Sequence, residues 1–199
     1  MEALGKKRVG YSDASKRQVV RHSRNAVRTS GLAEYVVVDL ETTGLSPEKN
    51  EILEIAALKV VNGQEIESYQ RLVRPVNGLP DVVTKLTGLS ADQVEQGVEL
   101  SEAMESFLVF IGSCPLVMHN ADFDMAFIDA ALEQLDIDEL DNECIDTLAL
   151  ARKRRPQEES YRLGDLVASL GVDKEGLHRA IHDCKATKVL FENLMALSP

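Results

Sequence analysis

Residues 35–41, YVVVDLE, constrain the fold more than any other stretch of the chain. Four apolar residues run without interruption and three of them are β-branched, the pattern of a strand buried on both faces. Such a strand belongs in the middle of a sheet and needs helices above and below it. Yet it ends in two acids, Asp39 and Glu41, separated by Leu40. Strand side chains alternate, so both carboxylates leave on the same side. Two like charges at the exit of a buried strand are costly unless something positive neutralises them. No arginine lies nearby in sequence, and a divalent cation, which takes hard oxygen ligands, meets the need better. Thr42, Thr43 and Gly44 then supply hydroxyls and an unobstructed backbone, which suits close approach of a phosphate or sugar.

The segments that follow supply the rest of a mixed sheet. EILEIAALKVV and EIESYQRLVRP read as strands, with Asn62-Gly63 marking a hairpin turn between them. Residues 90–112 read as one or two helices split at Gly97, with Ser101 as cap of the second. PLVMHN (115–120) is a short buried strand. In the helix DFDMAFIDAALEQL, Phe123, Phe127, Ala131 and Leu135 line up at intervals of four. DTLALARKRRP is a helix stopped by Pro156, and YRLGDLVASLG one ended by Gly171. A last helix runs from about Ala180 to Leu197 with an apolar stripe at Ala186, Val189/Leu190 and Leu194. The expected fold class is α/β, a mixed sheet flanked by helices.

Charge is unevenly spread along the 199 residues. Residues 1–30 hold eight basic residues against two acidic ones, so the remainder carries −17 of a chain whose total is −11. This predicts two regions, a basic N-terminal extension over 1–32 and a folded body over 33–199. Residues 12–30 suit a helix capped by Ser12 or Ser15 and stopped at Gly31, either a solvated rod or an arm that holds phosphates. An acidic body argues against broad, charge-driven nucleic-acid binding, but not against an enzyme whose bound cations supply positive charge locally. No apolar run approaches a membrane span and the N-terminus has no signal-like apolar core, so a cytoplasmic location and no membrane partner are expected. Cys114, Cys144 and Cys184 have no ligand-like spacing and read as reduced thiols.

Two further motifs bear on the acids of the first strand. In HNADFD, the strand ends at His119-Asn120 and Asp124 falls in the first turn of the next helix, where the dipole favours an anion. Asp122 is expected to cap that helix. Spacing places Phe123 in the core. In HRAIHD (178–183), a regular helix would set His178 and Asp183 about 140° apart, so they would not meet at one point. Gly176 just upstream puts His178 on a loop instead, from which it can reach a site that Asp183 enters from the helix. A zinc pair of His178 and His182 would need further ligands, and the chain has no HExxH and only scattered cysteines. His182 is expected to be exposed or a cap.

Taken in order, DLETTG, HNADFD and HRAIHD resemble the motifs of the DEDDh 3′–5′ exonucleases, the group that contains the proofreading epsilon subunit of bacterial DNA polymerase III. VTKLTGLS (83–90) and CIDTLALAR (144–152) are similar to that family's intervening segments, and the resemblance covers about residues 33–197. It implies a ribonuclease H-like fold. It also implies that Asp39, Glu41, Asp124 and Asp183 hold two Mg²⁺ or Mn²⁺ ions roughly 4 Å apart, clamping both sides of an in-line displacement. His178 would be the general base, a role suited to a neutral imidazole. Thr42, Leu45, His119, Asn120 and Phe123 would line the pocket of the terminal nucleotide.

The implied activity is stepwise release of nucleoside 5′-monophosphates from the 3′ end of DNA, on single strands or frayed ends. An RNA 3′-trimming nuclease on the same fold is the alternative, since one sequence does not reveal how the 2′-hydroxyl is treated. A catalytically silent nucleic-acid-binding module is a third reading, against which stands the complete set of four carboxylates and His178. The sequence ends just after the last helix, without the extension by which the proofreading subunit grips its polymerase. A free-standing exonuclease is therefore the expectation, with polymerase association open.

Overall fold

The computed structural model describes residues 32–172 and 179–197. The predicted helix over 12–30 and His178 lie outside the described residues. Five strands form one sheet in the order β3-β2-β1-β4-β5. As the apolar run requires, β1 (Glu34–Thr42) is central. It pairs antiparallel with β2 (Ile52–Val61), which pairs antiparallel with the edge strand β3 (Gln64–Leu72). On its other side β1 pairs parallel with β4 (Leu116–Met118), and β4 parallel with β5 (Cys144–Asp146). The β2–β3 turn is the expected Asn62-Gly63, both at positive φ (50° and 78°), the two-residue geometry that matches the twist of paired strands.

Alternation along β1 divides the core into two layers. Val36, Val38 and Leu40 pack with α3 (Leu100–Ile111) and α4 (Ala121–Gln134) through Met104, Phe107, Met125 and Ile128. Tyr35 and Val37 face the other way, toward α5 (Thr147–Arg154), α6 (Leu163–Ser169) and α7 (Ala180–Ala196), where Leu150, Leu166, Leu190 and Phe191 are buried. A smaller cluster of Leu53, Val83, Leu89 and Val94 anchors α1 (Asp81–Thr87) and α2 (Ala91–Glu95) to β2. All three cysteines are free thiols, Cys144 and Cys184 buried. No helix among the described residues is long and apolar enough to cross a membrane.

Three local expectations are corrected. Ser101 does not cap α3; Glu99 holds that position and Ser101 lies inside the first turn. The chain is still extended at Val98, whose amide donates to Leu72 O while its carbonyl accepts from Arg74 N. Gly97 fits under β3 so closely that a Cβ there would lie 2.8 Å from Leu72 O, so the helix starts only beyond this bridge. Asp122 is not the cap of α4. Asn120 is, at φ 67°, and Asp122 is an exposed acid of the first turn. In α7 the stripe is Ala186, Leu190 and Leu194, while Val189 faces solvent.

Candidate active site

The parallel pairing of β1 with β4 brings the exits of both strands to one edge of the sheet, where open α/β sheets form crevices. Asp39 and Glu41 follow Val37 in the alternation of β1, on the α7 side. α7 packs across β1 and β2, with Cys184 Sγ 3.7 Å from Val37 O and 3.5 Å from Ala56 O. The neighbouring Asp183, in the first turn of α7, lies over the same strand end. Carboxylate oxygens of Asp39, Glu41 and Asp183 all lie within 4.8 Å of one another, and each of the three residues is only partly buried. Asp124 enters from the first turn of α4 and is buried, its Oδ1 accepting the Leu40 amide at 3.2 Å.

Four acids in so small a space repel one another and lose hydration, and both effects favour the protonated form. Burial first, then Asp124, Asp183, Glu41 and Glu54, hold the Asp39 carboxyl well above the usual carboxylate range. Burial, with Asp183 and Glu54, pushes Glu41 up to about 8, against a lowering effect of Arg179. Burial raises Asp124 to about 8, although hydrogen bonds from the Leu40 amide and its own amide oppose the rise. Hard oxygen donors that converge in this way fit a divalent cation, whose charge would return them to the ionised form. Among the described residues, Asp39, Glu41 and Asp183 are the group of side chains close enough to share a metal ion.

The remaining expected site residues fall around this cluster. Thr42 donates its hydroxyl to Gly44 O at 2.6 Å, and Leu45 is 85% exposed in the loop after β1. Asn120 is exposed, and its amide donates to Asp146 Oδ1 at 2.9 Å. His119 has both ring nitrogens engaged, Nδ1 at 2.9 Å from Thr147 Oγ1 and Nε2 donating to Tyr161 O at 3.0 Å. Burial lowers its pKa, so the neutral ring acts as a wall and not as a charge. Phe123 packs on Phe127, ring centroids 5.2 Å apart, at the margin of the core. A groove of about 890 Å³ opens beside the carboxylates, lined by His119, Asn120, Arg152, Tyr161, Arg162 and Asp183.

Two residues of the site went unread in the sequence. Glu54 stands opposite Glu41 in the β1–β2 register and is fully buried. Arg179 reaches it with Nη2 at 3.0 Å from Oε1. Arg179 lies 125 positions from Glu54, so nothing in the sequence around β1 and β2 announces it. Glu54 was findable, being an acid inside the apolar run ILEIAAL, the same signal that marked Asp39.

A ribonuclease H-like mixed sheet with four carboxylates at the exits of β1 and β4 and the start of α7 defines a class of nucleic-acid phosphodiesterases. The comparisons narrow it. The exonuclease family model RNase T matches residues 36–191, and the chain belongs to that family. It is 39% identical over 155 residues to the DNA polymerase III PolC-type of Halalkalibacterium halodurans, covering 78% of this chain and 11% of that protein. The PolC-type polymerase of Staphylococcus aureus (strain bovine RF122) matches at 39% over 159 residues, covering 80% and 11%. The chain thus spans about a tenth of these relatives. Among solved structures, exonuclease X in complex with 5′ overhanging duplex DNA aligns with TM-score 0.67 and 25% identity, over 81% of this chain and 90% of that one. The nuclease domain of 3′hExo, a DEDDh family member bound to rAMP, aligns with TM-score 0.73 and 18% identity, over 82% and 92%. The chain is therefore an exonuclease-family domain, and it shares the fold of these nucleases.

Proposed function

We propose that this exonuclease removes nucleoside 5′-monophosphates one at a time from the 3′ end of DNA, acting on single strands or frayed ends. The observation that carries this reading is the convergence of Asp39, Glu41 and Asp183 oxygens within 4.8 Å, with Asp124 bound to the strand between the first two. DNA is favoured over RNA because the relatives at 39% identity are DNA polymerases, whereas the neighbour bound to rAMP is 18% identical.

Asp39, Glu41, Asp124 and Asp183 would hold the divalent cations, Mg²⁺ or Mn²⁺. When bound, these cations supply the positive charge that offsets the carboxylates and the developing phosphoryl charge. His178 takes the proton of the attacking water as the bond from water oxygen to phosphorus forms and the bond to the 3′-oxygen breaks. This role comes from the sequence, in which His178 stands two residues before α7. Thr42, Leu45, Asn120 and the faces of His119 and Phe123 border the terminal nucleotide. Arg152 and Arg162 in the adjoining groove receive phosphates upstream of the scissile bond.

Matched DNA and RNA oligomers, blocked or free at each end, test this with Mg²⁺ supplied or chelated. Mononucleotides should appear from free 3′ ends of DNA and only with metal. Full activity in excess EDTA, or digestion of 3′-blocked and 3′-free ends alike, would overturn the proposal, and faster digestion of RNA would replace its substrate.

A further inference from the structure

Glu54 is a fully buried carboxylate near the start of an apolar strand, a position that is strongly unfavourable without compensation. It has four polar contacts. Arg179 donates from Nε to Oε2 at 3.2 Å and from Nη2 to Oε1 at 3.0 Å, a two-pronged clamp. Gln70 of β3 donates from Nε2 to Oε1 at 2.6 Å. The fourth donor is the backbone amide of Ala180, 3.4 Å from Oε2. Ala180 is the first residue of α7, and the N-cap residue Arg179 makes no side-chain cap bond. A carboxylate from the sheet thus meets the helix end that its own chain leaves uncapped. By contrast, α2 and α5 are capped locally, by Ser90 and Asp146.

The placement matters because of what the two ends of this contact carry. Glu54 pairs in register with Glu41, and α7 brings in Asp183 three residues after Ala180. A slip of the helix start by one residue would turn Asp183 through about 100° and out of the cluster. Packing alone permits such adjustments in a layer of small residues, as Ala180, Cys184 and Ala186 form here. A charge-assisted, two-pronged contact does not.

We propose that Glu54 and Arg179 form a positioning pair that sets the start and rotation of α7, and thereby brings Asp183 to Asp39 and Glu41. Neither residue touches the reacting atoms. The inference rests on reading those carboxylates as the cation-binding centre of the nuclease.

The test uses the full chain, a DNA oligonucleotide with a free 3′ end, and Mn²⁺. Arg179, a third exposed, is the residue to change first, because its replacement removes no apolar core side chain. Arg179→Gln should lower kcat by about 10- to 100-fold, the range for residues that orient metal ligands, with KM for the oligonucleotide nearly unchanged. Calorimetric titration without nucleic acid should give Mn²⁺ affinity weakened by a similar factor. Arg179→Lys should recover part of both, since it keeps the charge but not the fork. Glu54→Gln with Arg179→Gln should cost less than the product of the single effects, the signature of one shared contact. Arg179→Gln with the kcat and Mn²⁺ affinity of the unmodified chain overturns the pair. So does a loss of kcat that disappears when each variant is assayed well below its own unfolding midpoint. If the unmodified chain bound Mn²⁺ but left 3′ ends intact, the proposed function would fall, while the titration would still decide the pair.

Discussion

Asp124 accepts the backbone amide of Leu40 at 3.2 Å, so a buried side chain of α4 is bonded to β1 at the residue between Asp39 and Glu41. The contact explains how a short helix turn and a strand keep a fixed spacing although they are 84 positions apart in the chain. One oxygen of this carboxylate holds the strand, and under the proposed function its charge would serve a cation.

Asp124→Asn should divide those functions. The amide oxygen can still accept from Leu40, but the negative charge is gone. Activity should fall by about a thousandfold, on the scale of several kcal/mol for a lost metal ligand. The metal-free protein should become more stable, because burial and neighbouring acids already disfavour the charge. Thermal unfolding in EDTA and turnover in Mg²⁺ check the two effects separately. A variant that is less stable without metal would show that the charged form of Asp124 is part of the fold itself.

The pH dependence of stability should carry the same signature. Asp39 is held well above, and Glu41 and Asp124 up to about 8, from an unfolded value of about 4. A carboxyl whose pKa is raised by folding binds its proton more tightly in the folded chain. Its contribution is therefore complete below the unfolded value and is lost as pH rises through the folded one. Metal-free protein should lose stability from about pH 5 to about pH 9, and saturating Mg²⁺ should flatten or reverse that slope. Denaturant titrations across the range, with EDTA or Mg²⁺, measure both curves. A flat curve in EDTA would mean that the carboxylates are not strained by their proximity.

Much of this arrangement was legible because it is local chemistry. The run YVVVDLE marked the central strand, and Asn62-Gly63 marked a turn that only positive φ can close. Helix starts were less legible, since a cap depends on where the chain arrives from. Ser101 has the right side chain, but the bridge between Val73 and Val98 delays the turn into α3 by fixing the backbone just upstream. Asp122 is likewise displaced by Asn120, whose left-handed backbone begins α4 earlier. The pair of Glu54 and Arg179 was least legible of all. Glu54 stands out as an acid in an apolar run, but only strand register and helix packing make Arg179 its partner.

His178→Ala should separate proton transfer from metal binding. An imidazole that removes the proton of water and ligates nothing should cost about 100- to 10,000-fold in turnover when deleted. Mn²⁺ affinity, measured by calorimetry, should stay near that of the unmodified chain. Loss of metal binding in this variant would make His178 a ligand instead and return histidine coordination to consideration.

Arg152 and Arg162 make the last prediction, about how an acidic protein holds a polyanion. Both line the groove that ends at Asp183, and the Arg152 guanidinium lies 5.8 Å from the ring centroid of Tyr161. Arg152 is exposed, so phosphate oxygens can reach its guanidinium. Arg162→Ala should weaken binding to all sequences alike and reduce the slope of log affinity against log salt by about 0.7, the value for one phosphate on a single strand. The effect should grow with substrate length and vanish on a dinucleotide, because a dinucleotide has no upstream phosphate to reach the groove. Fluorescence anisotropy over a salt series, run in Ca²⁺ so that the strand is bound but not cut, gives the slope directly. An unchanged slope with long substrates would route the strand away from this groove, across the loop that carries Leu45.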